Sequence, residues 1–459
     1  MATAEAAQER TGLGNYFIAN YPPFSFWKPE HLAAAMEVLH KPPRPNTALG
    51  LYLHIPFCRK RCKFCYFRVY TDKNARDVET YLQALLKEVE LYSKLPAIAK
   101  RRLQFIYFGG GTPSYLSASQ LRTLFEDVKR HMPWDGVEEV TFECEPGTLQ
   151  QPKLVALKEM GVTRLSLGIE NFDDRILEEN GRAHHSAEIF KAYGWAKDLG
   201  FDQINVDLIA GMVGETTDNW KACVQKTIEM SPDSVTIYQM ELPFNTVYSQ
   251  QVKDEGGRMK DEKESKQGSG SSFIPHPSSF KIADWPTKRG WVACAFEEMT
   301  KAGYEVSSGY TLVKDKGRTR FVYRDGLWHG ADLLGTGVAS FGHVSGMHMQ
   351  NVDDWEHYVG TLEKGELPLA RALPVKPQEL LIREMILQMK TGQLALPYFR
   401  DKFGVDVVRD FEPSFKLLEE TGYILRSPDK VTLTREGLLR VDKLLPTFFL
   451  PEHRGVRYT

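Results

Sequence analysis

From about residue 50 onward the apolar positions fall into two alternating patterns. Short runs rich in β-branched and aromatic residues read as strands: Leu51–Ile55, Leu103–Phe108, Val140–Cys144, Leu165–Ile169, Ile204–Ile209 and Val235–Met240. Stretches of helical spacing lie between them. In Val78–Leu91, the residues Val78, Leu82, Leu85, Leu86 and Val89 share one face; Ser117–His131, Gln151–Met160, Ser186–Leu199 and Thr216–Glu229 follow. Strand and helix in alternation are the mark of repeated βα units on a parallel sheet. Six such units favour an open or partial barrel over two Rossmann halves, although periodicity alone leaves both open.

The pattern divides the chain into 1–48, an N-terminal arm; 49–373, the barrel and its extension; and 374–459, a C-terminal module. In the arm, Asn20-Tyr-Pro-Pro-Phe-Ser-Phe-Trp27 is stiff and aromatic, fit for plain packing, an apolar plug or an oligomer contact. Lys253–Ser272, within an insertion of about 253–285, mixes charges with Gly-Ser-Gly-Ser-Ser and reads as solvated and flexible. After Pro374 come helices Gln378–Met389, Leu396–Phe403 and Phe411–Thr421, short strands Tyr423–Leu425 and Val431–Leu433, and a last helix Thr434–Leu444. That order resembles a winged helix. No basic stripe accompanies it, so a lid or scaffold is expected rather than a DNA reader.

Charge narrows the picture. Across 459 residues, 58 Lys and Arg face 60 Asp and Glu, a net charge of −2, so bulk attraction to nucleic acid or membrane is not expected. No apolar run approaches the roughly 18–20 residues that span a bilayer. Met1–Arg10 lacks the apolar core of a secretory signal, and a cytoplasmic protein is expected.

The candidate chemistry begins with the six cysteines. Three crowd into Cys58-Arg-Lys-Arg-Cys62-Lys-Phe-Cys65, just after a strand, where three thiolates can converge on one loop. Thiolates suit zinc or iron–sulfur clusters. Zinc would want a fourth ligand, and His54 is the nearest candidate, though as a strand residue it can simply point away. Three thiolates on a four-iron cubane leave one iron open. Cys144 should turn to the side opposite Glu143, while Cys223 and Cys294 lie on helical patterns as buried thiols. Gly109-Gly110-Gly111-Thr112-Pro113 follows a strand, so its backbone can come close to a ligand; a tight βα turn explains it too. Glu143, Glu170 and Asp207 recur at or near the carboxyl ends of successive strands, where such folds place their sites. Any one of them alone would read as a cap or a solvent-facing acid.

The cysteine motif, coming after Tyr52-Leu-His-Ile-Pro-Phe57, resembles the radical S-adenosylmethionine (SAM) superfamily, in its oxygen-independent coproporphyrinogen III oxidase-like branch. The resemblance implies an α/β fold: a partial (β/α)6 TIM-like barrel of radical SAM type with a C-terminal helical, winged-helix-like domain. It implies a [4Fe-4S] cluster on Cys58, Cys62 and Cys65, whose open iron chelates SAM. Reduction by a donor such as flavodoxin or ferredoxin then cleaves SAM to methionine and a 5′-deoxyadenosyl radical. Gly110, Gly111 and Thr112 match the family's SAM amino-group loop, and Glu143, Arg182 and Asp207 match SAM contacts. Tyr52 matches a tyrosine beside the cluster and SAM, and is expected with Glu170 to be catalytic. Gly330–Ser340 resembles a segment near a second SAM site, which Phe341 would line, so two SAM molecules are a possibility the resemblance carries. The implied substrate is a small molecule, a tetrapyrrole.

Departures accompany the likeness. Phe67 stands where the oxidases carry a fourth cysteine, Glu170 where they carry glutamine, and Gly309-Tyr310-Thr311 where an Asp-His type stretch is expected; the N-terminal arm differs as well. Three readings follow: an oxidase-like enzyme of tetrapyrroles, a C-methyltransferase or cyclopropanase using a second SAM, and a non-catalytic haem chaperone. His184 and His185 are expected at the surface or in hydrogen bonds, and His329 and His343 as acids, bases or haem ligands.

Overall fold

The protein is described here by a computed structural model covering residues 18–241, 246–250 and 282–455. The insertion expected at about 253–285 lies almost wholly outside the described residues.

Six strands pair in chain order, all parallel: β1 (Leu49–Ile55), β2 (Leu103–Gly110), β3 (Glu139–Cys144), β4 (Arg164–Glu170), β5 (Gln203–Ala210) and β6 (Ser234–Gln239). The two-residue period of a strand sorts their side chains. Leu51, Leu53, Phe108, Phe142, Leu165, Leu167, Val206, Leu208 and Ile237 are buried in the main core, on the face the helices cover. The alternate positions carry Tyr52, Tyr107, Thr141, Glu143, Ser166, Asn205, Asp207 and Thr236. One face of the sheet is therefore a helix-packed core and the other a polar interior.

The helices start where their caps dictate. Asn74 closes a capping box with Asp77 ahead of helix Ala75–Ser93, and Ser117 does the same with Gln120 ahead of Ala118–His131.

The sheet extends beyond the six expected strands to twelve. β7 (Glu305–Val306) and β8 (Thr311–Val313) add antiparallel at the β6 edge. β9 (Asp332–Thr336) lies parallel to β1 on its other side, followed by β10 (Phe341–Val344), β11 (Met347–Asn351) and β12 (Leu369–Pro374), each antiparallel to its neighbour. Among the described residues no ladder joins the two edges, so the sheet is open.

After the sheet, helices Pro377–Met389, Leu396–Phe403 and Glu412–Glu420 pack with a three-stranded sheet: β13 (Gln393–Ala395), β15 (Lys430–Leu433) and β14 (Ile424–Arg426), in that spatial order. They form a second core around Ile382, Met385, Phe399, Phe415 and Leu445. The single helix expected at Thr434–Leu444 is instead two short ones, Arg435–Leu438 and Val441–Leu444, broken at Arg440 (φ −118°, ψ 12°).

The N-terminal segment is packing. Ile18 and Tyr21 sit in the second core, Ala35 and Leu39 of helix Leu32–Leu39 sit in the main core, and Lys28 bridges to Ala372 of β12. Cys223 is buried as expected; Cys294 is partly exposed.

Candidate active site

The cysteine loop leaves the carboxyl end of β1 and folds back on itself. Cys65 N–H donates to the Cys62 carbonyl (3.1 Å), and Cys58 N–H to Tyr70 (3.0 Å). The Cys58 Sγ lies 3.3 Å from Thr112 Oγ1, and Arg182 Nη1 donates to the Cys62 Sγ (3.4 Å). Burial pushes the Cys58 thiol up to about 11 and the Cys65 thiol to about 12, in each case with the nearby Cys62 adding to the rise. Crowded thiols of this kind are neutral on their own and become thiolates when a cationic group binds them. Three cysteine sulfurs on one loop are the donor chemistry of a thiolate-bound cluster, although among the described residues no three metal-ligating side chains are drawn together around a single ion. His54, the nearest candidate for a zinc ligand, is engaged elsewhere: its Nε2 faces the Arg68 carbonyl (3.4 Å), which fixes the proton there, and its Nδ1 accepts from the Tyr52 hydroxyl (3.2 Å).

The glycine loop is held against this one. A Cβ on Gly111 would stand 2.8–3.0 Å from the backbone of Ile55–Phe57, and Gly110 (φ +111°) abuts the His54 ring. Glycine is required here by the close passage of the two loops, whatever they bind. Gly110 N–H also donates to Glu143 Oε2 (3.2 Å), whose Oε1 accepts from the Tyr107 hydroxyl (2.6 Å).

The inward carboxylates converge. Asp207 accepts from Ser166 (2.8 Å) and Asn205 (2.9 Å). Glu170 sits at φ +67° where the β4–β5 register breaks, a strained conformation for a residue with a Cβ, and the break re-aims its side chain toward Arg182 (3.7 Å). Burial raises all three carboxyls above their ordinary range, Glu143 and Glu170 to about 7; repulsion from the other carboxylates adds to the rise for Glu143 and Glu170, while Arg182 pulls Glu170 back and the Ser166 bond and the Arg164 charge pull Asp207 back. Arg182 is the cation beside Glu170, also donating to the Gly168 carbonyl, while the buried Arg164 is the positive charge felt by Glu143 and Asp207. Tyr52 stacks on Tyr107 with ring centroids 5.9 Å apart.

Cys58, Cys62, Cys65, Thr112, Glu143, Glu170, Arg182, Asp207 and Tyr52 therefore share one end and one face of the sheet. Phe341 starts β10 opposite Gly335, which itself pairs with Tyr52, so it lies two strands from Tyr52 in the same register row, and its ring packs on Phe24 (4.4 Å) and Trp27 (5.6 Å). Phe67, in the place of a fourth cysteine, is 44% exposed and stacks on Tyr66.

Sequence reasoning missed Glu145. It takes a two-pronged contact from Arg59 (3.1 and 3.0 Å) and bonds His184 Nδ1 (3.1 Å), tying the cysteine loop to the segment carrying Arg182. Burial alone would raise this carboxyl, but the His184 bond and the Arg182 and Arg59 guanidiniums outweigh it and hold it at about 2. Strand alternation was the available signal, since Glu145 continues the Thr141–Glu143 face. His184, expected at the surface or in hydrogen bonds, is the second of these: it is buried and also bonds the Ile169 carbonyl. His185 stays exposed, and so does His329, bonded to its own helix at Asp325. His343 is sealed beside Leu333, toward the opposite end of the sheet from the cysteine loop, and so stands outside the site. Cys144 lies in the main core, on the far side of β3 from Glu143.

This geometry matches a known class. The chain has an α/β radical SAM fold, and the radical SAM superfamily profile matches residues 52–226. Its relatives carry two names. A heme chaperone, HemW, of Bacillus subtilis is 27% identical over 399 residues, covering 86% of this chain and 98% of that protein. An oxygen-independent coproporphyrinogen III oxidase of Synechocystis is 25% identical over 424 residues, covering 88% and 85%. The solved structure of coproporphyrinogen III oxidase (HemN) from Escherichia coli superposes with a TM-score of 0.76 at 21% identity, over 94% of this chain and 96% of that one. Residues 52–226 thus match the radical SAM superfamily, which implies a [4Fe-4S] cluster and SAM, and the fold is that of HemN. Among the described residues no helix is long and apolar enough to cross a membrane.

Proposed function

We propose that the protein is a cytoplasmic radical SAM enzyme of tetrapyrrole chemistry, of the oxidative type of its coproporphyrinogen oxidase relatives. The observation that carries this reading is the reach of Arg182 from the Cys62 sulfur of the three-cysteine loop to Glu170, beside Glu143 and Asp207 on the polar face of the sheet. Cys58, Cys62 and Cys65 would hold the cluster, which with SAM supplies one-electron cleavage of a sulfonium and hydrogen abstraction. The chain's own residues do the rest. Glu143 and Asp207 offer oxygens to ribose hydroxyls or an ammonium, held in place by Tyr107, Gly110, Ser166 and Asn205. Arg182 offers a guanidinium to a carboxylate. Tyr52 gives its hydroxyl hydrogen to His54, so its oxygen is left as an acceptor that orients rather than protonates. Glu170 brings to the site a charge that glutamine would not.

A second reading, the haem chaperone, is favoured by the relative of that name, which this chain spans almost completely. One anaerobic experiment divides the readings: load the protein with iron and sulfide, add SAM, reductant and haem, and quantify the products. Deoxyadenosine alone supports the oxidase-type reading. Deoxyadenosine with S-adenosylhomocysteine supports methyl transfer with a second SAM. Neither, with saturable haem binding, overturns catalysis in favour of the chaperone.

Glu170 adds a testable pH dependence. With Glu143 and Glu170 titrating near 7, the empty site is partly protonated at neutral pH, while a cationic sulfonium ligand selects the ionised carboxylates. Binding must therefore release protons, and affinity should climb from pH 6 to pH 8 by up to about tenfold per unit for each proton released. Glu170→Gln removes one of these protons and should flatten the slope. Calorimetry of SAM binding at the two pH values checks it; equal slopes in both proteins would show that Glu170 does not face the ligand.

A further inference from the structure

Toward the opposite end of the sheet, the N-terminal segment, the β9–β11 strands and helix Pro377–Met389 meet around a buried charged cluster. Asp332, fully buried at the start of β9, accepts from Arg44 Nη2 (3.1 Å), Arg101 Nη1 (2.8 Å) and the Ser345 N–H (2.8 Å). Arg383 enters from the C-terminal helix, 4% exposed, with its Nε on Asn20 Oδ1 (2.8 Å). The carboxylate next to it in sequence, Glu384, is taken by Lys402 (2.8 and 2.9 Å) and Tyr398. Four cations, Arg44, Arg101, Arg383 and Lys402, thus face three buried carboxylates, Asp332, Glu384 and, one turn before Arg383 on the same helix, Glu379, which also pairs with His453 (3.7 Å).

Four buried polar atoms in this cluster have no partner: Arg44 Nε, Arg383 Nη1, Ser345 Oγ and His343 Nε2. The histidine's role is fixed by its neighbours. His348 Nε2 lies 2.9 Å from the Tyr21 carbonyl and must carry the proton there. Its Nδ1 then accepts from His343 Nδ1 (2.9 Å), which leaves His343 Nε2 a bare lone pair, 98% enclosed with its residue. Burial, then the charges of Arg383, His348 and Arg44, keep His343 neutral. Short contacts tie the two arginines to this neighbourhood: Arg44 shares Asp332 Oδ1 with the Ser345 N–H, and Arg383 holds Asn20, next to the Tyr21 whose carbonyl His348 binds.

The cluster therefore presents guanidinium N–H donors, a hydroxyl and one acceptor in a positively charged enclosure. Water would answer the hydrogen bonds and leave the excess charge, which is costly inside a protein. An oxyanion that keeps a hydroxyl hydrogen answers both: its oxygens accept from Arg44 and Arg383, and its O–H donates to His343 Nε2. We propose that this cluster binds such an anion, bicarbonate or hydrogenphosphate, which clasps the N-terminal segment and the C-terminal helix onto the sheet. Arg44, whose side chain is 33% exposed, is the way in.

The test uses the full chain in an anion-poor buffer, titrated at constant ionic strength with phosphate, bicarbonate or sulfate, with melting temperature and calorimetric binding as readouts. Saturable stabilisation is expected from phosphate or bicarbonate, whichever responds at lower concentration being the ligand. Sulfate has no hydroxyl hydrogen at neutral pH and should bind at least tenfold more weakly. Arg383→Gln should lose the response by tenfold or more. Should that variant fail to fold, Ser345→Ala, at the partly exposed rim, should weaken binding several-fold. The proposal is overturned by no saturable response from the native protein, by sulfate binding as well as the other anions, or by a variant that responds like the native protein.

Discussion

Cys62→Ala is expected to yield a folded protein that takes up no stable cluster: iron and sulfide content fall to background, the cluster's visible absorbance is lost, and deoxyadenosine formation stops. Cys62 stands between the other two cysteines in the chain. Its backbone carbonyl, which the substitution leaves in place, anchors Cys65, and its sulfur is the one that Arg182 touches. With it gone, Cys58 and Cys65 remain buried thiols, and burial, the largest cause of their raised titration, still favours the neutral form. The loss should exceed the roughly 10–100-fold that accompanies changes to residues standing behind metal ligands. Cys144→Ala is the matched control, a buried core thiol whose removal should leave iron content and SAM cleavage at native levels. Cluster assembly is read by iron analysis and absorbance, independently of turnover. If the Cys62 variant keeps its iron, the loop is not the cluster site.

Much of this was legible because its signals are local. The six parallel strands announce themselves through a repeated apolar run and helix, and the cysteines through a spacing that spans eight residues. The rest depends on contacts that a linear reading does not hold. β9 is Asp-Leu-Leu-Gly-Thr, five mostly buried residues with no clean alternation, because a strand flanked by β1 and β10 in the middle of a sheet is covered on both faces. β10 and β11 carry His343, His348 and Gln350, polar residues whose burial is made tolerable only by partners as distant as Tyr21. The Arg59–Glu145–His184 bridge joins positions 86 and 39 residues apart, so none of the three looked remarkable in its own segment. Glu170 was visible as an unusual acid, while its left-handed backbone and its aim toward Arg182 follow from a register break that only the paired strands reveal.

Arg182→Ala should separate SAM binding from cluster binding. The guanidinium spans three groups at once: the Cys62 sulfur (3.4 Å), the Gly168 carbonyl and Glu170 (3.7 Å), with both charged side chains nearly nine-tenths buried. Truncation leaves a buried carboxylate and a carbonyl without their cation, a change that typically costs about 3–5 kcal/mol. Part of that cost is avoided because Glu170, already raised to about 7, can take up a proton instead. The protonated acid no longer attracts a sulfonium, and the fork that would grip a carboxylate is absent. Both effects act on the same ligand, so SAM affinity should fall by about a hundredfold or more, equivalent to about 3 kcal/mol. Iron content should stay near the native level, because all three thiols remain. Arg182→Lys keeps the charge and loses the planar fork; it should recover part of the affinity, since a point charge still neutralises Glu170 but cannot reach the Cys62 sulfur and the Gly168 carbonyl together. Calorimetric SAM binding to the cluster-loaded variants decides it: an unchanged affinity in Arg182→Ala removes this residue from the ligand site and leaves it as the brace between β4 and the cysteine loop.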